Sequence, residues 1–317
     1  MRIKIPKLWD ISENKIAPES VYMDRRRFLK GVGAITAYAM LPDRFTSAVN
    51  SDPSVNLSET EKTIYPARRN ESFSLDRKLT RESVAARYNN FYEFSEIKED
   101  VSVQAQKLST RPWTVKVSGL VHHPQTFDVE GLLKTMPMEE RLCRHRCVEA
   151  WAMAVPWTGF PLKALLDKVQ PLSKTTHVLM KSFYKPFTAQ GQLAFWYPWP
   201  YTEAITLREA MNELAFMALG IYGHPLPKQH GAPIRLVMPW KYGFKSIKSV
   251  VQIELVDYQP ATFWNTVQGL EYDFTANVNP NIPHPRWSQA REKMLGTGDI
   301  LPTQIYNGYA DRVASLY

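Results

Sequence analysis

The strongest constraint on the fold of this chain is a series of short apolar segments separated by turns, which begins after residue 110. Residues 113–119 alternate apolar and polar side chains with a period of two, which is typical of a half-buried strand. Further strand-like segments lie at 141–147, 177–183, 215–222, 234–238 and 250–256. Residues 156–161 contain two prolines and a glycine, and they predict a turn.

Helical patterns are fewer and lie between the predicted strands. One short helix is predicted over 127–136, and another over 162–169, where four apolar side chains share one face. A third is predicted over 207–213, because Thr206 and Glu209 have the spacing of a capping box. Many short strands and few helices in mixed order predict a loop-rich α+β fold and argue against a doubly wound parallel sheet.

Cys147 is one of only two cysteines in the 317 residues, and Cys143 lies four positions before it. Arg144, His145 and Arg146 stand between them, and nearby cations stabilise a thiolate, so we expect a lowered pKa for the Cys147 thiol. A thiolate is a nucleophile or a soft metal ligand. Three alternatives remain open on local sequence: an inert buried side chain, a nucleophile paired with a distant histidine, or a disulfide with Cys143. An extended strand would exclude the disulfide by placing the two cysteines roughly 13 Å apart.

The N-terminal segment has the pattern of an export signal. Residues 24–30 contain three arginines followed by Phe-Leu-Lys, which fits the twin-arginine pattern Arg-Arg-x-Phe-Leu-Lys. The apolar run at 31–41 is too short to span a bilayer. We predict a twin-arginine signal peptide over 1–48, cleaved after Ala48 or near Ala39, and export of the folded protein to the periplasm. Much of the net charge of +8 lies in this segment, so the remainder does not have the basic character of a nucleic-acid-binding protein.

The remaining chain divides at about residue 88. Residues 49–87 are polar and predict an irregular segment that wraps the surface, and residues 88–317 predict one large domain. Residues 89–94 interleave amide and aromatic side chains, which is typical of a pocket wall or, alternatively, of a turn before an edge strand. Residues 190–200 form an aromatic, proline-bearing loop, and we expect its aromatic side chains to fold back onto the core.

Two further features indicate an anion site. Arg235 lies within an otherwise apolar strand, where a buried guanidinium needs a carboxylate or phosphate partner. Residues 241–248 combine three lysines with Gly243, so backbone NH groups together with Lys245 and Lys248 predict a cradle for a phosphate. The alternative is a basic hairpin tip.

Four separated motifs in this order resemble those of one enzyme family. Residues 89–94 (Asn-Asn-Phe-Tyr-Glu-Phe), 146–151 (Arg-Cys-Val-Glu-Ala-Trp), 231–235 (Gly-Ala-Pro-Ile-Arg) and 239–245 (Pro-Trp-Lys-Tyr-Gly-Phe-Lys) are similar to motifs in catalytic subunits of periplasmic protein-methionine-sulfoxide reductases. The likeness covers roughly residues 88–317 and implies the sulfite-oxidase-type molybdopterin-binding fold.

The resemblance implies one molybdenum held by one molybdopterin without a nucleotide. Cys147 matches the metal ligand of the family and is therefore the implied catalytic residue. The implied cofactor-binding residues are Asn89, Tyr92, Glu93, Ser182, His230, Arg235, Ser246, Ile247 and Lys248. Three positions depart from the family pattern: Ser182 replaces a threonine, His230 an asparagine and Ser246 a glycine. Cys143 has no implied role.

The resemblance also implies an activity and partners. The activity is molybdenum-dependent reduction of methionine sulfoxide residues in oxidised periplasmic proteins, by oxygen-atom transfer. The electrons would come from a membrane haem-b subunit fed by quinol. Two alternatives remain open. One is a sulfite dehydrogenase on the same fold, since fold alone does not determine the substrate. The other is an exported binding protein that uses the aromatic loop at 190–200 and buries Cys147 as an inert residue.

Overall fold

The computed structural model describes residues 57–317, so the predicted signal peptide at 1–48 lies outside the described residues. Within this range the helices are α1 (Glu59–Ile64), α2 (Glu82–Ala85), α3 (Val101–Gln104), α4 (Val129–Thr135), α5 (Leu162–Val169), α6 (Leu207–Ala210), α7 (Phe263–Gln268) and α8 (Ala310–Val313). The strands are β1 (Thr114–Gly119), β2 (Gln125–Asp128), β3 (Glu139–Arg146), β4 (Trp151–Pro161), β5 (His177–Ser182), β6 (Thr202–Thr206), β7 (Phe216–Ile221), β8 (His224–Pro225), β9 (Arg235–Val237), β10 (Val250–Val256), β11 (Arg291–Met294) and β12 (Ile300–Pro302). Short strands dominate and alternate with short helices, which confirms the predicted α+β class. None of the helices in this part of the chain is both long enough and apolar enough to cross a membrane.

The first sheet has five strands in the order β2-β1-β10-β5-β6. Its neighbours are antiparallel except for β1 and β10, which run parallel. In β1 the side chains of Val115 and Val117 are fully buried, while those of Thr114 and Lys116 are exposed. This alternation is the period of two seen in the sequence, and it packs one face of the sheet against the main hydrophobic core.

The second sheet has seven strands and is built on β4. Its path is β12-β11-β4-β7-β8, with β3 paired to β4 and β9 paired to β7. The turn predicted at 156–161 is wrong, because these residues continue β4 and are almost all buried. Gly159 marks a register shift between β4 and β7, and a Cβ at this position would overlap the carbonyl oxygen of Met217. The glycine therefore permits close strand approach at a bulge.

Strands β3 and β4 form an antiparallel hairpin that carries both cysteines. Cys143 lies within β3 and pairs with Val155 of β4, whereas Cys147 follows the last residue of β3. Both thiols are free and buried, so the disulfide alternative is wrong. The connection between the two strands is the short turn 147–150.

The predicted helices are present with small differences in length. In α5 the four expected apolar side chains are fully buried. In α6 the Thr206 hydroxyl accepts from the backbone NH of Glu209, and the Glu209 carboxylate accepts from the backbone NH of Thr206, which confirms the capping box. This helix ends at Ala210, three residues before the predicted end, because residues 211–215 turn into β7.

Two regions are more regular than their sequences suggest. Residues 57–87 contain α1 and α2, and the Tyr65 hydroxyl donates to the carbonyl of Leu219 at 2.8 Å. The region after residue 257, where the sequence pattern predicts no helix or strand, contains α7, β11, β12 and α8. Strand β11 pairs in parallel with the start of β4, beside the turn that carries Cys147.

Candidate functional site

A cleft of about 900 Å³, counted with its open mouth, lies where several chain segments meet. It is lined by residues 88–93, by the turn between β3 and β4, by the 243–248 loop before β10, and by Trp264 and Tyr272. The cleft brings aromatic rings and a few polar side chains together, as cofactor and small-molecule sites do.

Cys147 is the first residue of the turn that links β3 to β4. Its carbonyl accepts from the backbone NH of Ala150 at 3.0 Å, and Ala150 has a positive φ of 67°. The Cys147 sulfur lines the cleft, with the Asn90 side-chain nitrogen at 3.5 Å and the Glu149 carboxylate at 3.6 Å. The tight turn thus places the Cys147 thiol at the cleft wall. Of the two cysteines, which both lie in the described part of the chain, Cys147 is the one that lines the cleft.

Burial raises the pKa of the Cys147 thiol, and the nearby Glu149 carboxylate raises it further. The lowered pKa expected from the neighbouring arginines is therefore wrong for the chain on its own. Arg144 forms an ion pair with Asp76 at 2.8 Å, outside the cleft. Arg146 pairs with Glu292 at 3.3 Å and is completely buried. Neither guanidinium lines the cleft.

Three of the predicted cofactor-binding residues lie together on one wall of the cleft: Asn89, Tyr92 and Glu93. The Asn89 amide donates to the carbonyl of Ala86 at 3.0 Å, which holds this segment against the end of α2. Burial raises the pKa of Glu93. Ser182 does not line the cleft. Its hydroxyl favours the charged form of Glu93, so Ser182 affects the cleft wall through Glu93.

Arg235 is a buried cation without a carboxylate partner among residues 57–317. Its guanidinium donates only to carbonyls, those of His230 and Ser246 at 3.0 Å and that of Leu236 at 3.2 Å. It also lies over the Trp157 ring, 4.9 Å from the centroid. Burial lowers its pKa to about 9. The predicted need for an anion is thus unmet by protein groups and is available to a ligand.

His230 and Lys248 complete this polar side of the cleft. Burial, with the charges of Arg235 and Lys248, lowers the pKa of His230 to about 3, so the imidazole is neutral. Its Nε2 atom is buried and makes no hydrogen bond. The Lys248 ammonium donates to the carbonyl of Asn90 at 2.7 Å, and burial lowers its pKa. These side chains offer an unused polar atom and positive charge to a bound group.

The 243–248 loop contributes less positive charge than the sequence suggests. Lys245 is turned away from the cleft and forms a buried ion pair with Glu203 at 2.6 Å, so its predicted place in a phosphate cradle is wrong. Ser246 and Ile247 do line the cleft. The Ser246 hydroxyl accepts from the backbone NH of Met238 at 3.0 Å, which ties the loop to the end of β9.

Several cleft residues have no role in the sequence prediction, among them Asn90, His145, Glu149, Trp264 and Tyr272. Asn90 and Glu149 lie inside the motifs at 89–94 and 146–151. Their sequence positions near Asn89 and Cys147 could have identified them as site residues. His145 is two positions before Cys147 on a predicted strand, so it shares that side of the strand. Trp264 and Tyr272 lie in a region without a motif, and only the folded chain brings them to the cleft.

The donor set fits a soft metal ion carried by an anionic organic group. Cys147 supplies a thiol, which binds soft metals as the thiolate. Arg235 and Lys248 supply positive charge, and His230 supplies a buried ring nitrogen that has no hydrogen-bond partner among residues 57–317. A group bearing sulfur donors and a phosphate would satisfy all of these atoms at once.

A solved structure and a family model match this chain. The crystal structure of the sulfane dehydrogenase SoxCD from Paracoccus pantotrophus is similar over 68% of this chain, with 18% sequence identity and a TM-score of 0.43; this chain spans 57% of the length of that chain. The family model for the oxidoreductase molybdopterin binding domain matches residues 101–264, just over half of the sequence, and the match includes Cys147 and Arg235. The chain therefore belongs to the oxidoreductase molybdopterin-binding domain family, whose cofactor is molybdenum held by molybdopterin.

Proposed function

We propose that this molybdenum oxidoreductase reduces methionine sulfoxide residues in oxidised periplasmic proteins to methionine. The observation that carries the proposal is the environment of the Cys147 sulfur, where a carboxylate, an amide and aromatic rings meet. This environment suits a neutral organic sulfoxide better than an inorganic sulfur anion. A sulfite dehydrogenase of the same fold is the competing proposal.

The charge beside the Cys147 sulfur favours one of the two candidate substrates, methionine sulfoxide, over the other, sulfite. Although burial opposes ionisation, Lys98 and hydrogen bonds from Trp151 and Asn90 hold the pKa of Glu149 below its ordinary value. Glu149 is therefore a carboxylate at neutral pH, and the ammonium of Lys98 lies 3.2 Å from it. Lys98 offsets part of the Glu149 charge, and the carboxylate oxygen that faces the Cys147 sulfur still disfavours a sulfite anion, whereas it does not affect a neutral sulfoxide.

The rings beside the same sulfur suit a thioether. Tyr88 contacts Trp151 edge to face at 5.2 Å, and Trp264 contacts Tyr272 at 5.0 Å. All four rings line the cleft. Methionine sulfur and its methyl group make favourable contacts with aromatic rings, worth roughly 0.3–1.5 kcal/mol each. The rings can therefore orient the side chain of a methionine sulfoxide and keep water from its apolar part.

The reaction balances with external electrons. One sulfoxide, two electrons and two protons give one thioether and one water molecule. The bound cofactor supplies two-electron oxygen-atom transfer. Cys147 would hold the metal, and Arg235 and Lys248 would hold the anionic part of the pterin. Asn89, Tyr92, Glu93, His230, Ser246 and Ile247 would complete the cofactor site.

The proposal includes a location and an electron donor. The twin-arginine pattern at 24–30 supports export of the folded protein to the periplasm, where oxidants convert methionine to its sulfoxide. The family resemblance of the four motifs supports a membrane haem-b subunit, fed by quinol, as the donor. The oxidised proteins are then the second class of partner.

The test compares two substrates on protein purified from the periplasm after native export. We expect about one molybdenum per chain, which Cys147→Ser abolishes and Cys143→Ser leaves unchanged. With a reduced viologen dye as donor, kcat/KM for methionine sulfoxide should exceed kcat/KM for sulfite oxidation with an acceptor dye. Faster sulfite turnover would establish the dehydrogenase instead. Correctly exported protein without molybdenum would leave the exported binding protein as the better explanation.

A further inference from the structure

An aromatic strip leads from the protein surface into the cleft. Its members are Phe195, Trp196, Tyr197, Trp264 and Tyr272. Successive ring centroids lie 5.3, 6.1, 6.2 and 5.0 Å apart, so each ring contacts the next. The inner two members line the same cleft as Cys147. The outer surface and the site are therefore joined by one continuous row of rings.

The outer end of the strip is exposed, which corrects the expectation that this loop folds back onto the core. Tyr197 does pack against Phe263, but Phe195 is 89% exposed and Trp196 is 64% exposed. Burial of a large aromatic side chain is favourable, so covering two exposed neighbours with a partner lowers the free energy. Adjacent exposed aromatic side chains mark interaction surfaces.

The loop that carries the exposed rings is firmly attached to the cleft wall. Gly191 packs on the backbone of Tyr92, and a Cβ at this glycine would overlap the Tyr92 carbonyl oxygen. The Tyr197 hydroxyl donates to the Glu96 carboxylate at 3.0 Å, and the Trp199 indole donates to a carbonyl of the same loop at 3.0 Å. These contacts hold the rings in position before a partner arrives, which lowers the entropy cost of binding.

The chemistry of the loop selects the kind of partner. Residues 186–201 contain no Asp, Glu, Lys or Arg. Surfaces that bind anionic lipid headgroups depend on lysine and arginine, so the uncharged loop favours an apolar polypeptide over a membrane. The spacing also fits a polypeptide. Side chains on one side of an extended chain repeat every two residues, or roughly 6.6 Å, which is close to the step between neighbouring rings.

We propose that the aromatic strip binds the apolar side chains that flank an oxidised methionine in an extended polypeptide. The inference rests on the proposed function and defines its substrate more closely. With the sulfoxide in the cleft, alternate side chains on one flank lie against successive rings towards Phe195. The preferred substrates are then unfolded or extended segments with apolar residues at every second position beside the methionine.

The test uses the loaded enzyme and two labelled peptides, each with one methionine sulfoxide. One peptide has leucine at alternate flanking positions, and the other has serine there. In the double variant Phe195→Ala with Trp196→Ala, we expect Kd for the leucine peptide, measured by fluorescence anisotropy, to rise about tenfold or more. Binding of the serine peptide and reduction of free methionine sulfoxide should be unchanged. Tyr258→Ala, which removes another exposed aromatic side chain, is the matched control and should behave as wild type.

Other outcomes would overturn the inference. Unchanged binding of the leucine peptide, or an equal loss for both peptides, would show that the strip does not read the flanking residues. Binding to vesicles of phosphatidylethanolamine and phosphatidylglycerol that the double variant loses, with peptide binding unchanged, would identify a membrane surface instead. Wild-type enzyme that binds the leucine peptide through the strip but reduces no sulfoxide would support the docking surface while refuting the proposed function.

Discussion

Replacing Arg235 with methionine should separate cofactor retention from folding. Arg235 is 3% exposed and donates to three backbone carbonyls, without a carboxylate partner among the described residues. Methionine has a similar length and no charge. We expect Arg235→Met to fold as a metal-free protein and to lose most of its molybdenum, because the removed charge serves the ligand more than the fold.

The expected effect on folding is small because two terms oppose each other. Burial lowers the Arg235 pKa from 12.5 to about 9, and at 1.36 kcal/mol per pKa unit this costs the folded state about 5 kcal/mol. Because the folded pKa is lowered, the unfolded chain binds more protons above pH 9, and the full cost is present at neutral pH. Losing the guanidinium removes this cost but leaves three carbonyls unpaired, at ~1–2 kcal/mol each. The net change in unfolding free energy should stay within about 2 kcal/mol.

The expected effect on the cofactor is large. A charge-assisted contact to an anionic group is worth on the order of 3 kcal/mol, which corresponds to on the order of a hundredfold weaker retention. The measurements are urea unfolding of the metal-free proteins and molybdenum per chain after native export. A variant that keeps wild-type molybdenum, or a metal-free variant that loses well over 4 kcal/mol of stability, would refute the reasoning.

Arg141 provides the matched control for this experiment. It is equally buried but outside the cleft, with Glu139 at 2.5 Å and the carbonyl of Glu213 at 2.6 Å. Arg141→Met leaves a carboxylate without its partner, so the unfolding free energy should fall by about 2–3 kcal/mol. Molybdenum content should stay at the wild-type level. We therefore expect Arg235→Met to lose molybdenum with little loss of stability, and Arg141→Met to lose stability with no loss of molybdenum.

Three further predictions concern individual side chains. Gly191→Ala forces a methyl group against the Tyr92 carbonyl, so it should cost about 1–3 kcal/mol in urea unfolding and lower the molybdenum content. Thr206→Ala removes the cap of α6 and should cost about 1 kcal/mol with molybdenum unchanged, measured in the same way. Burial raises the Glu93 pKa from 4.5 to about 7, so the folded state binds this proton more tightly and stability falls as pH rises from about 4.5 to about 7; in the metal-free protein, Glu93→Gln should remove this fall.

The fold was predictable where the hydrophobic pattern has a clear period. The alternation in β1 and the single apolar face of α5 both appear in the structure as expected. The prediction failed at 156–161, where prolines and a glycine normally end a strand. There, β3 pairs with β4 on one side and β7 pairs with it on the other, and these long-range contacts outweigh the local signal. Such pairing cannot be read from a window of a few residues.

The candidate site was predictable only as far as its motifs extend. Eight of the nine predicted cofactor-binding residues line the cleft together with Cys147, although their contacts with the cofactor stay predictions. A sequence motif does not show which of its side chains face the site, as Lys245 and Lys248 illustrate. Both belong to one basic loop, yet Lys245 turns to Glu203 and only Lys248 reaches the cleft. Lys245 turns away from the cleft because it pairs with the carboxylate of Glu203, which lies about forty residues earlier in the chain.

The expected lowering of the Cys147 pKa fails for a geometric reason, which the predicted strand at 141–147 already implied. Side chains alternate between the two faces of a strand, so Arg144 and Arg146 point to the face opposite His145. Their guanidinium groups pair with Asp76 and Glu292, and the attraction of Arg146 for a Cys147 thiolate is smaller than the effect of burial. Burial then keeps the Cys147 thiol protonated in the chain on its own. In the proposed role of Cys147 as the metal ligand, loading would release this proton, because a metal binds the thiolate, and the affinity for the metal should rise with pH. The metal, more than the neighbouring arginines, would then determine the charge state of Cys147.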